Sequence, residues 1–516
     1  MTSARWTLIA AVLGSSIVFL DSTVVNVALP TMGRELSSSF FGIFEGQSYV
    51  YYGYLLTLSA LLILAGALAD RHGRRRLFTI GLVGFGVTSV LCGLAPNMDL
   101  LILFRILQGA TGALLVPGSL AIITTSFSGE EQGRAFGVWA GASAFTAILG
   151  PALGGFLIAQ TSWRAVFLIN VPLVLVAVWA TVGHVPESKD PEASHGFDHL
   201  GAVLAILAIG GLTFGVIRGQ TQEWTGTLPF VSLAVGTVAT AAFIVQMFRA
   251  ENPLVPPELF RSRNFTVTNI STFLIYGALY VMGQFMALFL IGTIQYNELA
   301  FGIATIPGTL FLALFSARFG ALAARHGPRI FMAVGPAIMA LGISWFVRIP
   351  SDSEPWEATL SDLGSLVPPV GYFVDVLPAN LLFGIGLMIM VAPLTTALMR
   401  SVPVNHSGIG SAVNNAISRV GPQLMGALLF VAISSSFYST LQAKLPDQDL
   451  SSRELRQEIA PLNQPKGDVR PEVVRAANES SARSFHVAMG ATAALCLLGA
   501  AVNAVGIRNE ELRESA

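Results

Sequence analysis

The chain has 516 residues, of which 53% are apolar and only 11% are Asp, Glu, Lys or Arg, against about 25% charged in ordinary soluble domains. With a mean hydropathy of +0.66, this balance excludes a soluble globular protein and implies many membrane crossings. The formal net charge of −1 gives no basis for nucleic-acid binding, and the two cysteines, Cys92 and Cys496, lie in apolar runs without disulfide or metal-ligand spacing.

A window of about twenty apolar residues, the length that crosses a bilayer as a helix, selects fourteen segments. They lie near 7–29, 47–69, 78–95, 99–120, 133–157, 163–183, 200–219, 228–248, 266–290, 299–317, 330–347, 373–397, 408–433 and 484–507. The first has only Arg5 ahead of it and runs at full length to Pro30, so it reads as an uncleaved span. Loops are short except for a Pro- and acid-rich one around 350–372 and a charged one around 440–483. Basic residues set the orientation. With the N-terminus cytoplasmic, that side gathers Arg5, Arg71, Arg74, Arg75, Arg76, Arg134, Lys189, Arg261 and Arg400, while the short loops opposite hold Arg34, Arg164, Arg218 and Arg348. Both termini are therefore expected in the cytoplasm.

The stretch 66-GALADRHGRRRLF-78 after span two has a near copy, 320-GALAARHGPRIFM-332, after span ten. A weaker echo joins 150-GPALGG-155 in span five to 421-GPQLMG-426 in span thirteen. Both pairs are displaced by eight spans in the same orientation. The expected organisation is a six-helix bundle over 1–185, two inserted helices over 186–264, and a second six-helix bundle over 265–516 with a long extracytoplasmic loop at about 440–483. Parallel repeats of this kind place a transporter's substrate site between the halves near the midplane.

The motifs resemble the fourteen-span drug:proton antiporters of the major facilitator superfamily, and the likeness covers essentially the whole chain. 20-LDSTVVNVALP-30 is similar to the first-helix signature and 66-GALADRHGRRR-76 to the loop between helices two and three. 105-RILQGATGA-113, 150-GPALGG-155 and 163-WRAVFLINVP-172 are similar to the fourth-, fifth- and sixth-helix motifs. The resemblance implies an all-α integral membrane protein of the major facilitator fold that exports small amphipathic compounds, drugs or toxic metabolites, against protons by alternating access. A transporter of a specific metabolite or lipid, not coupled to protons, is the alternative. The chain departs from the pattern at Ala324, where the first copy of the loop has Asp70.

Asp21 is the residue that most needs explaining. A carboxylate inside a bilayer helix costs roughly 2.5–3.5 kcal/mol on insertion scales, and such residues mark ion and proton paths. At 1.5 Å per residue Asp21 lies about 21 Å along span one, and Arg105 lies about 9 Å into span four from the opposite direction, so the two can meet if their helices are neighbours. A pair of that kind is expected to couple proton movement to substrate. Asn26 and Gln108, on the same helices, could hydrogen-bond the pair or a substrate, or simply link packed helices. Gly66, Asp70, Arg71, Gly73, Arg74 and Arg75 form the expected gate loop. Gly150, Pro151, Gly154 and Gly155 form the expected antiporter motif, a bend with close helix contact. Tyr280, Gln284 and Arg419 complete the candidate cavity, where aromatic and Met side chains suit bulky ligands. No HExxH, nucleophile elbow or clustered metal ligands occur, so neither an enzyme nor a bound metal or cofactor is expected. The expected partners are a small amphipathic substrate, protons and membrane lipid, with a periplasmic adaptor protein as a further candidate. The expected location is the cell membrane, or the inner one where there are two.

Overall fold

The computed structural model describes residues 3–509 apart from 128, 190–197, 223, 403–406, 447–455, 457 and 467–468. Every predicted span is occupied by helix. The chain runs α1 Ser3–Glu35, α2 Ile43–His72, α3 Arg74–Gly93, α4 Met98–Gly112, α5 Leu115–Ser126, α6 Gly129–Gln160, α7 Ala165–Leu168 and α8 Asn170–His184. It continues with α9 His199–Thr221, α10 Thr227–Arg249, α11 Arg263–Gly292, α12 Glu298–His326, α13 Arg329–Trp345, α14 Leu377–Arg400, α15 Ser407–Lys444 and α16 Pro471–Gly506. Among the described residues, 12 helices are long and apolar enough to cross a membrane. The only β pairing among them is an isolated bridge between Thr359 and Asp362.

Local signals set several helix starts. Asn97, Asn297 and Ser262 each accept the backbone N–H three residues on, from Leu100, Ala300 and Phe265, opening α4, α12 and α11. The fourth and sixth spans are interrupted. The fourth turns at Ala113 and Leu114 between α4 and α5, and the sixth at Ile169 between α7 and α8.

The repeated loop is also repeated in shape. Gly73 at φ +112° and Gly327 at φ +88° make the tight turns from α2 to α3 and from α12 to α13, a conformation that a side chain would strain. In each case the start of the next helix is met by a residue from the segment after a later helix, α8 in the first and α16 in the second. Glu187 accepts the N–H groups of Arg75 and Arg76, both at 3.1 Å, and Asn509 Oδ1 accepts that of Arg329 at 3.3 Å.

The helices pack in two sets with a seam between them. α1 lies against α6, α8, α5 and α2, whereas α11 lies against α15 and α16, and α13 against α14 and α16. The seam is made by α6 on α12, α2 on α15 and α1 on α11. The hairpin of α9 and α10 sits at the side, with α9 touching both α2 and α15. On α10, Val238 and Phe248 are each 68% exposed, as suits a face turned to lipid.

The charged loop is shorter than the sequence suggests. Instead of spanning 440–483, it is bounded by α15, which continues to Lys444, and α16, which begins at Pro471. The helices outrun their apolar stretches because their ends pack on each other. Phe437 and Leu441 bury against Val473, Ala476 and Ala477, and Lys444 pairs with Glu479 on the outside.

Candidate functional site

Asp21 and Arg105 are both fully buried, and they meet. Arg105 Nη1 donates to Asp21 Oδ2 at 2.5 Å, while Gln108 Nε2 and Asn170 Nδ2 each donate to Asp21 Oδ1 at 3.1 Å. Gln108 also accepts from Arg105 Nη1 at 2.7 Å and donates to Ser89 Oγ at 2.9 Å, and Asn170 donates to Ser89 at 3.3 Å. Arg105 Nε donates to the Val50 carbonyl, and the guanidinium lies over the Tyr54 ring at 4.1 Å. Side chains of α4 and α8 thus converge on the α1 carboxylate, and Ser89 of α3 holds two of them. Mutual pairing is what makes these buried charges tolerable, since each ion offsets the other's desolvation, although Arg105 Nη2 and Asn170 Oδ1 have no hydrogen-bond partner among the described residues.

The network has a structural origin in one glycine. A Cβ on Gly109 would overlap the Tyr54 carbonyl, so only glycine lets α4 press against α2 and set Arg105 and Gln108 beside α1. Two contributors were not singled out beforehand. Asn170 and Ser89 are polar residues in otherwise apolar runs, and that was their signal.

The seam between the two helix sets lies next to this network. Tyr52 Oη donates to Gln284 Oε1 at 2.6 Å, Gln423 Nε2 donates to Ser59 Oγ at 3.0 Å, and Arg419 lies over the Phe19 ring at 5.5 Å. Tyr51 lies within electrostatic reach of both Tyr280 and Arg419, and Tyr280 stands beside Tyr276. Among the described residues, several buried polar atoms here have no hydrogen-bond partner: Tyr51 Oη, Asn26 Oδ1, Gln284 Nε2, Gln423 Oε1, and Arg419 Nε and Nη1. Such atoms are costly unless something satisfies them. Among the described residues Asn26 makes no hydrogen bond to the Asp21 pair and stands instead beside Tyr51.

Towards the end that carries Glu35, the seam closes. Glu298 at the start of α12 accepts from Thr31 and pairs with Arg34 at 3.5 Å. Gly150 and Gly154 press on Thr23 and Val24 of α1, while a Cβ on Gly155 would overlap the Glu298 backbone, so the motif bridges α6 to both α1 and α12. Gln47 and Asn463 exchange amide hydrogen bonds at 2.9 and 3.1 Å. Among the described residues, the polar and ring contacts between the two sets run from the middle of the helices to this end.

At the opposite end, Gly66 stands against Pro117, and Arg71 is exposed. Arg74 N donates to the Ser188 carbonyl, and Arg75 also reaches the Val182 carbonyl at 2.7 Å. The loop is therefore anchored to the segment after α8 through Glu187, another residue the sequence did not single out. The side chains of Asp70 and Ala324 lie outside what the structure describes.

The profile of the Major Facilitator Superfamily matches residues 11–426. Multidrug resistance protein Stp of Mycobacterium tuberculosis is 31% identical over 446 residues, covering 86% of this chain and 79% of that protein. The tetracenomycin C resistance and export protein of Streptomyces glaucescens is 29% identical, covering 83% and 76%. Among solved structures, a bacterial homolog of the human lysosomal transporter Spinster superposes with a TM-score of 0.63 at 18% identity, covering 99% of this chain and 98% of the other.

Proposed function

The chain belongs to the Major Facilitator Superfamily, a multi-pass cell-membrane protein, and from that premise we propose that it is a proton-coupled exporter of small amphipathic compounds such as drugs. It moves its substrate without chemical change. Two relatives are named for multidrug resistance and for export of an antibiotic. The single observation that carries the coupling is the Asp21 carboxylate, sealed from solvent and held by Arg105, Gln108 and Asn170. A buried acid of this kind is the standard bilayer device for accepting and releasing a proton.

In this reading α1 to α8 form one six-helix half and α11 to α16 the other, with α9 and α10 inserted, fourteen crossings in all and both termini cytoplasmic. The Glu35 end is then extracytoplasmic, and its contacts hold the outer side shut. The unpartnered polar atoms at the seam face the substrate. Protonation of Asp21 releases Arg105, Gln108 and Asn170 from the carboxylate and loosens α1 from α4 and α8. α1 also contributes Phe19 and Asn26 to the seam, so substrate and proton bias the same helix. Antiport follows when the two occupancies exclude each other. One proton crossing a tenfold gradient supplies about 1.4 kcal/mol, and a membrane potential about 2.3 kcal/mol per charge per 100 mV.

The test is transport in proteoliposomes. An imposed pH gradient, acidic on the side into which the substrate moves, should concentrate fluorescent amphipathic probes, and a protonophore should collapse the accumulation. Accumulation that ignores the gradient would contradict the reading.

A further inference from the structure

Arg419 is a buried charge at the seam that neither the Asp21 network nor the Arg34–Glu298 pair absorbs. It lies on α15, which carries it across to the other helix set: Phe19 is under its guanidinium at 5.5 Å, and one turn on, Gln423 bonds Ser59 of α2. The side chain is only 2% exposed, and its Nε and Nη1 have no hydrogen-bond partner among the described residues. Among the described residues no carboxylate forms an ion pair with it. Asp21, two residues from Phe19 on α1, is taken up by Arg105, Gln108 and Asn170.

Arginine's planar fork presents paired donors that match a carboxylate or sulfonate, and it stacks on aromatic rings without using those donors. Beside it stand Phe19 and Tyr51, with Tyr280 close to Tyr51 and Tyr276; they supply flat apolar faces, and the Tyr51 hydroxyl is itself buried, beside Asn26. Cation, hydroxyl and aromatic walls together describe a receptor for a flat amphipathic acid.

We propose that Arg419 binds the anionic group of the exported substrate, so that the protein takes aromatic organic monoanions, carboxylates or sulfonates, in preference to uncharged or cationic analogues. Tyr51 adds a hydrogen bond to the same group, and Phe19 and Tyr280 hold the ring system. This assignment rests on the exporter reading above.

The experiment uses the full chain in phosphatidylcholine nanodiscs and three probes that share one ring system: pyrenebutyrate, its uncharged amide, and pyrenebutylammonium. Binding is read as energy transfer from the protein's tryptophans to pyrene. The intact protein should bind the carboxylate about tenfold more tightly than the amide, the scale of one charge-assisted pair. Arg419→Gln should remove that preference and leave the amide's affinity unchanged, while Arg419→Lys should keep part of it. Retained affinity for the amide shows that both variants are folded. Equal binding of carboxylate and amide by the intact protein, or a loss in Arg419→Gln shared by all three probes, overturns the inference while leaving the exporter reading intact. If added phosphatidylglycerol abolishes carboxylate binding in the intact protein but not in Arg419→Gln, Arg419 holds a lipid headgroup and the substrate assignment falls. Failure of the intact protein to bind or transport any of the three overturns both.

Discussion

Gln47 and Asn463 form a closed pair, each amide donating to the other across the seam, and both are buried. Gln47 sits near the start of α2 and also donates to the Leu29 carbonyl of α1, while Asn463 follows Leu462, held at φ +58° and wholly buried. A short piece of the loop between α15 and α16 is thereby wedged between the two helix sets at the Glu35 end. Opening that end requires the pair to part. Gln47→Cys with Asn463→Cys should crosslink under oxidant, because the native Cys92 and Cys496 are buried and do not compete. Transport should stop on oxidation and return on reduction. Unchanged transport in a fully crosslinked sample would show that the pair need not separate.

Gly155 tests the same closure from the other side. Its Cβ would overlap the Glu298 backbone, whereas one on Gly183 meets nothing within 4 Å. Gly155→Val should fold and still bind substrate but lose most transport, with crosslinking at Gln47 and Asn463 falling in step. Gly183→Ala should behave as the intact protein, since a helix interior favours Ala by about 1 kcal/mol. Full transport by Gly155→Val would show that α6 and α12 need not pack this closely.

Asn170 is predicted to be a structural partner of Asp21 rather than a neutral passenger. Asn170→Leu removes a donor from a buried carboxylate, a loss on the order of 1–3 kcal/mol, and should lower the unfolding temperature by several degrees. In the Asp21→Asn background the same change should cost distinctly less, because the acceptor is no longer charged. Equal costs in the two backgrounds would mean that the residues act independently.

Glu187 should matter more than its place in a surface loop suggests. It accepts the free N–H groups of Arg75 and Arg76 at the start of α3, where a carboxylate also favours the helix dipole. Glu187→Ala should destabilise by about 1–2 kcal/mol, and Asn509→Ala, its uncharged counterpart beside Arg329, by less. The comparison is made by thermal unfolding of purified protein. The reverse order would argue against an electrostatic share in the cap.

What the sequence made legible follows from what a bilayer penalises. An aspartate in span one and an arginine in span four stand out because burying either alone is expensive, and depth counting set them at one level before any contact was known. The shared GALA-x-RHG loops foretold the matched glycine turns at Gly73 and Gly327. Asn170, Ser89 and Tyr51 did not stand out, because polar uncharged residues are common in membrane helices and their partners depend on how helices rotate. Glu187 was hidden for a related reason: a cap made across more than a hundred residues has no local pattern. The charged loop was drawn too long because apolar windows end where charge begins, whereas α15 and α16 continue by packing on each other through one face.

Proton movement during substrate transport, compared between the intact protein and Asp21→Asn in proteoliposomes, tests the central claim most directly. Substrate binding by the variant must be retained, since breaking a buried ion pair can cost about 3–5 kcal/mol. The prediction is that the intact protein moves protons against substrate, and that Asp21→Asn binds substrate yet neither moves protons nor responds to an imposed pH gradient. Undiminished proton-linked transport by Asp21→Asn would contradict it, leaving Asp21 as a structural mate of Arg105 and the proton path elsewhere.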